Sequence, residues 1–183
     1  MSDRAYELHI AGCTRSLPIL NISDKLAIAA FIMLGDTELV GNCARELAKK
    51  IPPETEILMT AEAKGIPLAA EMARQLGMKW YITARKSVKA YMEHPIVVED
   101  ESITTKGKQT LCLMDADIER IKGKKVLLVD DVISTGGSMK ALRMLAERAG
   151  GQVIGEAAAL AEGDAANRKD IIYLEPLPLF DAK

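Results

Sequence analysis

The chain has 183 residues, 49% of them hydrophobic and 27% charged, which predicts one domain, residues 1–183, with a core of its own. Its 24 basic and 26 acidic side chains leave a net charge of -2, which lacks the basic surplus of a nucleic-acid binder. No stretch reaches the roughly 18 consecutive apolar residues of a membrane span, nor does the start carry a signal-peptide run. Cys13, Cys43 and Cys112 are too scattered for a disulfide framework or a zinc site, so a reducing cytoplasm is the expected compartment.

Residues 36–51, DTELVGNCARELAKKI, place Leu39, Cys43, Leu47 and Ile51 on one helical face, with Asp36 as N-cap and Pro52-Pro53 as the stop. EILMT (56–60) reads as a short strand. GIPLAAEMARQLG (65–77) reads as a helix with proline in its first turn and glycine at its end. WYITA (80–84) predicts a second strand, with Trp80 and Tyr81 packing in the core. Residues 85–110 are irregular and charged, and PIVVED with ESITTKGKQTLCL predicts a β-hairpin or a mobile arm. DADIERIKG (115–123) is a short helix and KVLLV (125–129) a buried strand. GGSMKALRMLAERAG (136–150) is a helix, QVIGEAAAL (152–160) a strand and DIIYL (170–174) a last strand. The tail YLEPLPLF reads as a packed terminus. Alternating strands and helices predict an α/β fold with a mainly parallel sheet flanked by helices. Ligands of such sheets bind beyond the C-terminal strand ends, here after residues 60, 84 and 129.

The end at 129 carries the most chemistry. In VLLVDDVISTGGS (126–138), an apolar strand runs into Asp130 and Asp131, and Ser134-Thr135-Gly136-Gly137-Ser138 opens the next helix. Helix starts expose free N–H groups and the positive end of the dipole, glycines admit close approach, and hydroxyls add donors, all suited to a phosphate. No GKS or GKT follows, so this is not a Walker A loop. An N-capped turn with a solvated acid pair is the plain alternative. At 60, Lys64-Gly65 precedes a helix start, which is an anion site or an ordinary turn. At 84, Arg85-Lys86 is a basic pair or a solvated turn.

The 126–138 stretch resembles, at every position, the 5-phosphoribosyl-1-pyrophosphate (PRPP) motif of type I phosphoribosyltransferases. Glu62-Ala63-Lys64-Gly65 and Ala84-Arg85-Lys86 are similar to the pyrophosphate-binding strand ends of adenine phosphoribosyltransferases, with lysine at 64 in place of the usual arginine. The resemblance implies the type I phosphoribosyltransferase fold, with a flexible active-site arm at about 92–110, an N-terminal hood segment (1–35) and a core (36–183). It implies that Asp130 and Asp131 face the ribose hydroxyls and that residues Ser134, Thr135, Gly136, Gly137 and Ser138 hold the 5-phosphate. Pyrophosphate would meet Ala63, Lys64, Gly65, Arg85 and Lys86, with Lys106 and Lys108 reaching it from the arm. Val132, Ile133 and Arg15 are the base-binding candidates. The implied reaction is transfer of the phosphoribosyl group to a purine, adenine first and a 6-oxopurine second. Mg²⁺ would be held mainly by PRPP and water, with no direct protein ligand, and the assembly would be a homodimer. A pyrimidine-using enzyme and a PRPP-sensing regulator are further readings of the same fold. The arm lacks the glutamate-tyrosine-glycine stretch of adenine enzymes, and the hood has no phenylalanine-arginine-aspartate run. His9 and His94 sit in no metal or triad pattern.

Overall fold

The computed structural model describes residues 4–100 and 109–183. Lys106 and Lys108 lie outside the described residues. Three strands come first, β1 (Ala5–Ile10), β2 (Cys13–Asn21) and β3 (Leu26–Ala29). β1 and β2 turn through Ala11 and Gly12, both at positive φ (50° and 78°), the backbone pair that a two-residue hairpin needs. Leu8, Ile10, Cys13, Leu17 and Ile19 alternate inward along the two strands.

Next come α1 (Thr37–Ala48), β4 (Ile57–Ala61), α2 (Ile66–Gln75) and β5 (Ile82–Ala84). Asp36 caps α1, accepting a hydrogen bond from the Leu39 N–H at 3.0 Å. β6 (Ile96–Asp100) and β7 (Gln109–Leu113) pair antiparallel, the hairpin form of the expectation. α3 (Asp115–Ile121), β8 (Lys125–Ile133), α4 (Gly137–Arg148) and β9 (Gln152–Glu162) follow. A 3-10 helix (Gly163–Asn167) then leads to β10 (Ile172–Leu177) and β11 (Leu179–Asp181).

The central sheet has the order β10-β9-β8-β4-β5 with every pairing parallel. β8 alternates its side chains between two cores. Leu127 and Val129 face α1, α2 and the N-terminal strands, while Val126 and Leu128 face α4 and the β6–β7 hairpin. A strand buried on both faces explains the unbroken KVLLV run.

Among the elements that differ from expectation, three are instructive. β8 runs on to Ile133, through the aspartates, because the eleven-residue β9 pairs with it as far as Ile133 opposite Ala161. Trp80 is outside β5 and 57% exposed, since the ladder with β4 begins only at Ile82 opposite Met59. The Arg120 guanidinium lies over its ring, 3.9 Å from the centroid. Third, the C-terminal tail is more than a packed end: β11 joins the sheet β1-β2-β3-β11, with Leu179 opposite Ile28. Cys13, Cys43 and Cys112 are buried free thiols. Among the described residues no helix is long and apolar enough to cross a membrane.

Candidate active site

The two aspartates sit where β8 passes beyond its neighbour β4. Asp131 is 3% exposed, and its N–H donates to Asp130 Oδ1 at 2.9 Å. Asp130 is half-buried, and its carboxyl is pushed well above the ordinary carboxylate range, first by burial and then by the neighbouring Asp131. Two acids held this closely favour a ligand that donates hydrogen bonds or brings positive charge.

The turn after β4 supplies that charge. Lys64 Nζ lies 3.0 Å from Asp131 Oδ2. The contact is an ion pair without hydrogen-bond alignment, because Oδ2 has no hydrogen-bond partner among the described residues. The turn reaches this depth because position 65 is glycine. A Cβ there would stand 2.3 Å from Thr60 Oγ1 and 2.9 Å from Asp130 Oδ1. The Glu62–Ala63 peptide bond is cis. Glu62 accepts from Arg85 Nε and from the Lys86 N–H, both at 2.9 Å, and these bonds, the Lys86 one foremost, hold its carboxyl below the usual range.

On the far side, Ser134, Thr135 and Ser138 are exposed around a small hollow of about 50 Å³. Gly136 begins α4 at φ +84° with no side-chain cap, so the first-turn N–H groups face the hollow unclaimed by a cap.

These parts line one cavity of about 550 Å³. It brings together Ala63, Lys64, Lys86, Asp130, Asp131, Val132, Ser134 and Ser138. Gly65 lies behind the wall, packed on Asp130. Three candidates point elsewhere. Arg85 is held by Glu62 and by the Tyr91 hydroxyl at 3.2 Å. Ile133 is 2% exposed and packs in the core beside the turn of Ser134 to Ser138. Arg15 grips Asp36 through two bonds, Nε to Oδ2 at 2.6 Å and Nη2 to Oδ1 at 3.0 Å, and reaches Glu38 at 2.8 Å. These bonds raise the Arg15 pKa further, with Asp36 the largest cause. Arg15→Ala should lower the melting temperature, because it leaves the α1 cap without its cation, and should leave the KM for the base unchanged. A raised base KM with an unchanged melting temperature would return Arg15 to the base site.

The sequence pointed to a hood within residues 1–35 but to none of its cavity-lining residues, and to none of those in one wall. Ile28, Ala29, Ala30, Phe31 and Ile32 cover the cavity from the N-terminal sheet and the segment after it. Leu177 and Glu162 close it from β10 and β9. Glu162 did carry a signal, an acid directly after the small-residue run of β9, yet the strand was expected to end two residues earlier.

The phosphoribosyl transferase domain matches this chain over residues 34–176. The adenine phosphoribosyltransferase of Thermotoga maritima is 35% identical over 123 residues, 67% of this chain and 62% of that protein. The hypoxanthine/guanine phosphoribosyltransferase of Methanothermococcus okinawensis is 33% identical over 122 residues, again 67% of this chain and 62% of that protein. The chain thus spans a little under two thirds of either relative. The crystal structure of adenine phosphoribosyltransferase from Thermoanaerobacter pseudethanolicus superposes with a TM-score of 0.65 at 25% identity, covering 79% of this chain and 84% of that one. With the strand order, the acid pair and the Ser134–Ser138 turn all in place, the chain belongs to the phosphoribosyltransferase family and has its type I fold.

Proposed function

We propose that the protein transfers the 5-phosphoribosyl group of PRPP to a purine base, releasing pyrophosphate and a nucleoside 5-monophosphate. The observation that carries the reading is the single cavity in which an acid pair, an uncapped helix start and Lys64 converge. Adenine is the first substrate, in keeping with the Thermotoga relative, and a 6-oxopurine is the second, in keeping with the Methanothermococcus one. The domain reads as a hood over a core. The hood is residues 1–35, whose strand β3 pairs with β11, and the arm at about 92–110 falls in part outside the described residues.

Each group has one task. Ser134 to Ser138 hold the 5-phosphate with N–H and hydroxyl donors. Asp130 and Asp131 accept hydrogen bonds from the ribose hydroxyls. With Asp131 so engaged, Lys64 is released from it and, with Lys86, turns to the charge on the departing pyrophosphate. The C1 centre develops oxocarbenium character, and positioning, with no protein nucleophile, carries the rate. The roof of Ile28 to Ile32 keeps water from it.

The site suits Mg²⁺ as a substrate-borne ion. Among the described residues no group of three or more His, Cys, Asp or Glu could hold a metal. Asp130 and Asp131 therefore offer two carboxyls at most, and the ion would complete its shell from PRPP and water. When bound, it supplies charge compensation for the pyrophosphate.

Lys64→Ala should weaken pyrophosphate binding by roughly tenfold or more and nucleotide binding far less; equal losses would contradict its placement. For the activity itself, product identification is the test. Incubation with PRPP, Mg²⁺ and adenine should yield adenosine 5-monophosphate by mass, and recovery of unchanged PRPP with adenine and with hypoxanthine would refute the reading.

A further inference from the structure

One carboxyl in the cavity has no part in the mechanism above. Glu162 ends β9 and lines the cavity. It is half-buried, and its carboxyl makes no hydrogen bond or ion pair among the described residues. A carboxyl so placed, with no protein partner, is free to accept a hydrogen bond from a ligand in the cavity. Burial raises its pKa; Lys64 acts against that shift and Asp131 with it.

Its position is set from two sides. Leu177 of β10 pairs with Glu162 in the sheet. The next residue, Gly163, has φ +57° and lies under the roof strand β11, where an added Cβ would come 2.8 Å from Leu179 Cδ1. Glu162 therefore stands at the junction of the central sheet and the roof.

The remaining polar groups of the cavity are already engaged. Ser134 and Ser138 belong to the phosphate turn, and Asp130 and Asp131 to the hydroxyl site. Lys64 and Lys86 serve the leaving group, and Glu62 is held by Arg85 and the Lys86 N–H. The roof offers only apolar side chains, Ile28 to Ile32. No metal-binding group of the described residues includes Glu162. Among the described residues, a base under that roof is left with one side chain able to read its polar edge.

We propose that Glu162 is the specificity-determining residue for the base, selecting a purine with an exocyclic amino group at position 6 over one with a carbonyl there. An amino N–H donates to the carboxyl oxygen, whereas a carbonyl oxygen would set acceptor against acceptor. The inference rests on the reading of this cavity as the site for PRPP and a purine.

The test compares kcat/KM for adenine and hypoxanthine in the wild type, Glu162→Gln and Glu162→Ala, with PRPP affinity measured by calorimetry. The wild type should favour adenine. Glu162→Gln, whose amide can donate to a carbonyl, should move the adenine-to-hypoxanthine ratio toward hypoxanthine by about tenfold or more, with PRPP affinity unchanged. Glu162→Ala should lose adenine turnover and keep PRPP binding, which also certifies its fold. An unchanged ratio, or a loss of PRPP affinity in Glu162→Gln, would overturn the assignment. Failure of the wild type to transfer to either base would instead overturn the purine reading beneath it.

Discussion

Replacing Asp130 and Asp131 together by asparagine should remove PRPP binding and leave the fold standing. Two hydrogen bonds to charged acceptors are lost, which corresponds to a fall in affinity on the order of a hundredfold or more. The fold survives because the apo protein gains little from these charges. Burial and Asp131 push the Asp130 pKa up, so the folded chain holds that proton to higher pH than the unfolded chain does. Stability tied to Asp130 is therefore full at the acid end, below the ordinary carboxylate pKa, and declines as pH rises toward the raised value. Asp130→Asn alone should flatten this decline. Its melting temperature should match the wild type at acid pH and exceed it at alkaline pH. Calorimetric PRPP titration and thermal melts from about pH 3 to about pH 9, below the ordinary and above the raised carboxyl pKa, measure both effects. Unchanged PRPP affinity in the double variant would remove the ribose assignment, and a parallel pH dependence would remove the account of Asp130.

The second large effect is expected at Gly65. Its φ of -73° suits any residue, so the restriction is space alone. An alanine methyl would press on Thr60 Oγ1, itself buried without a hydrogen-bond partner among the described residues, and on the Asp130 carboxyl. Overpacking of this kind costs about 1–3 kcal/mol, or roughly 2–12 °C in melting temperature for a domain of this size. The turn must back away from β8, carrying Lys64 with it, so PRPP affinity should fall as well. Gly77→Ala is the control. Its φ of +68° makes alanine strained, about 1–2 kcal/mol, but no atom lies within 4 Å of the added methyl. That variant should melt lower and bind PRPP normally. If Gly65→Ala behaves like Gly77→Ala, the packing of the turn on Asp130 has no role in binding.

The parts of this site that were legible in the sequence are local ones. The apolar run of β8, the acid pair and the glycine-serine turn lie within thirteen consecutive residues, and their chemistry depends on that adjacency. α1 announced itself through i+4 apolar spacing and Asp36, and α2 through the proline in its first turn and the glycine at its end. What was not legible depends on partners far along the chain. Arg15 looked free to serve a base, but Asp36 and Glu38, more than twenty residues away, capture it. The roof needs β11 to cover β3, a pairing of Leu179 with Ile28 that no local pattern encodes. β8 outlasts its apolar run because β9 offers a ladder past the aspartates, and the same extension delivers Glu162 to the cavity. Trp80 misled because its residue type suits a strand while its register lies beyond the ladder.

The account stands on one measurement above the others, PRPP-dependent pyrophosphate release with Mg²⁺, followed separately with adenine, hypoxanthine, guanine, xanthine, orotate, uracil and no base. It predicts rapid release with at least one purine, adenine foremost, and only background with the pyrimidines and without base. Silence across the purines, or release driven by orotate or uracil, would contradict it.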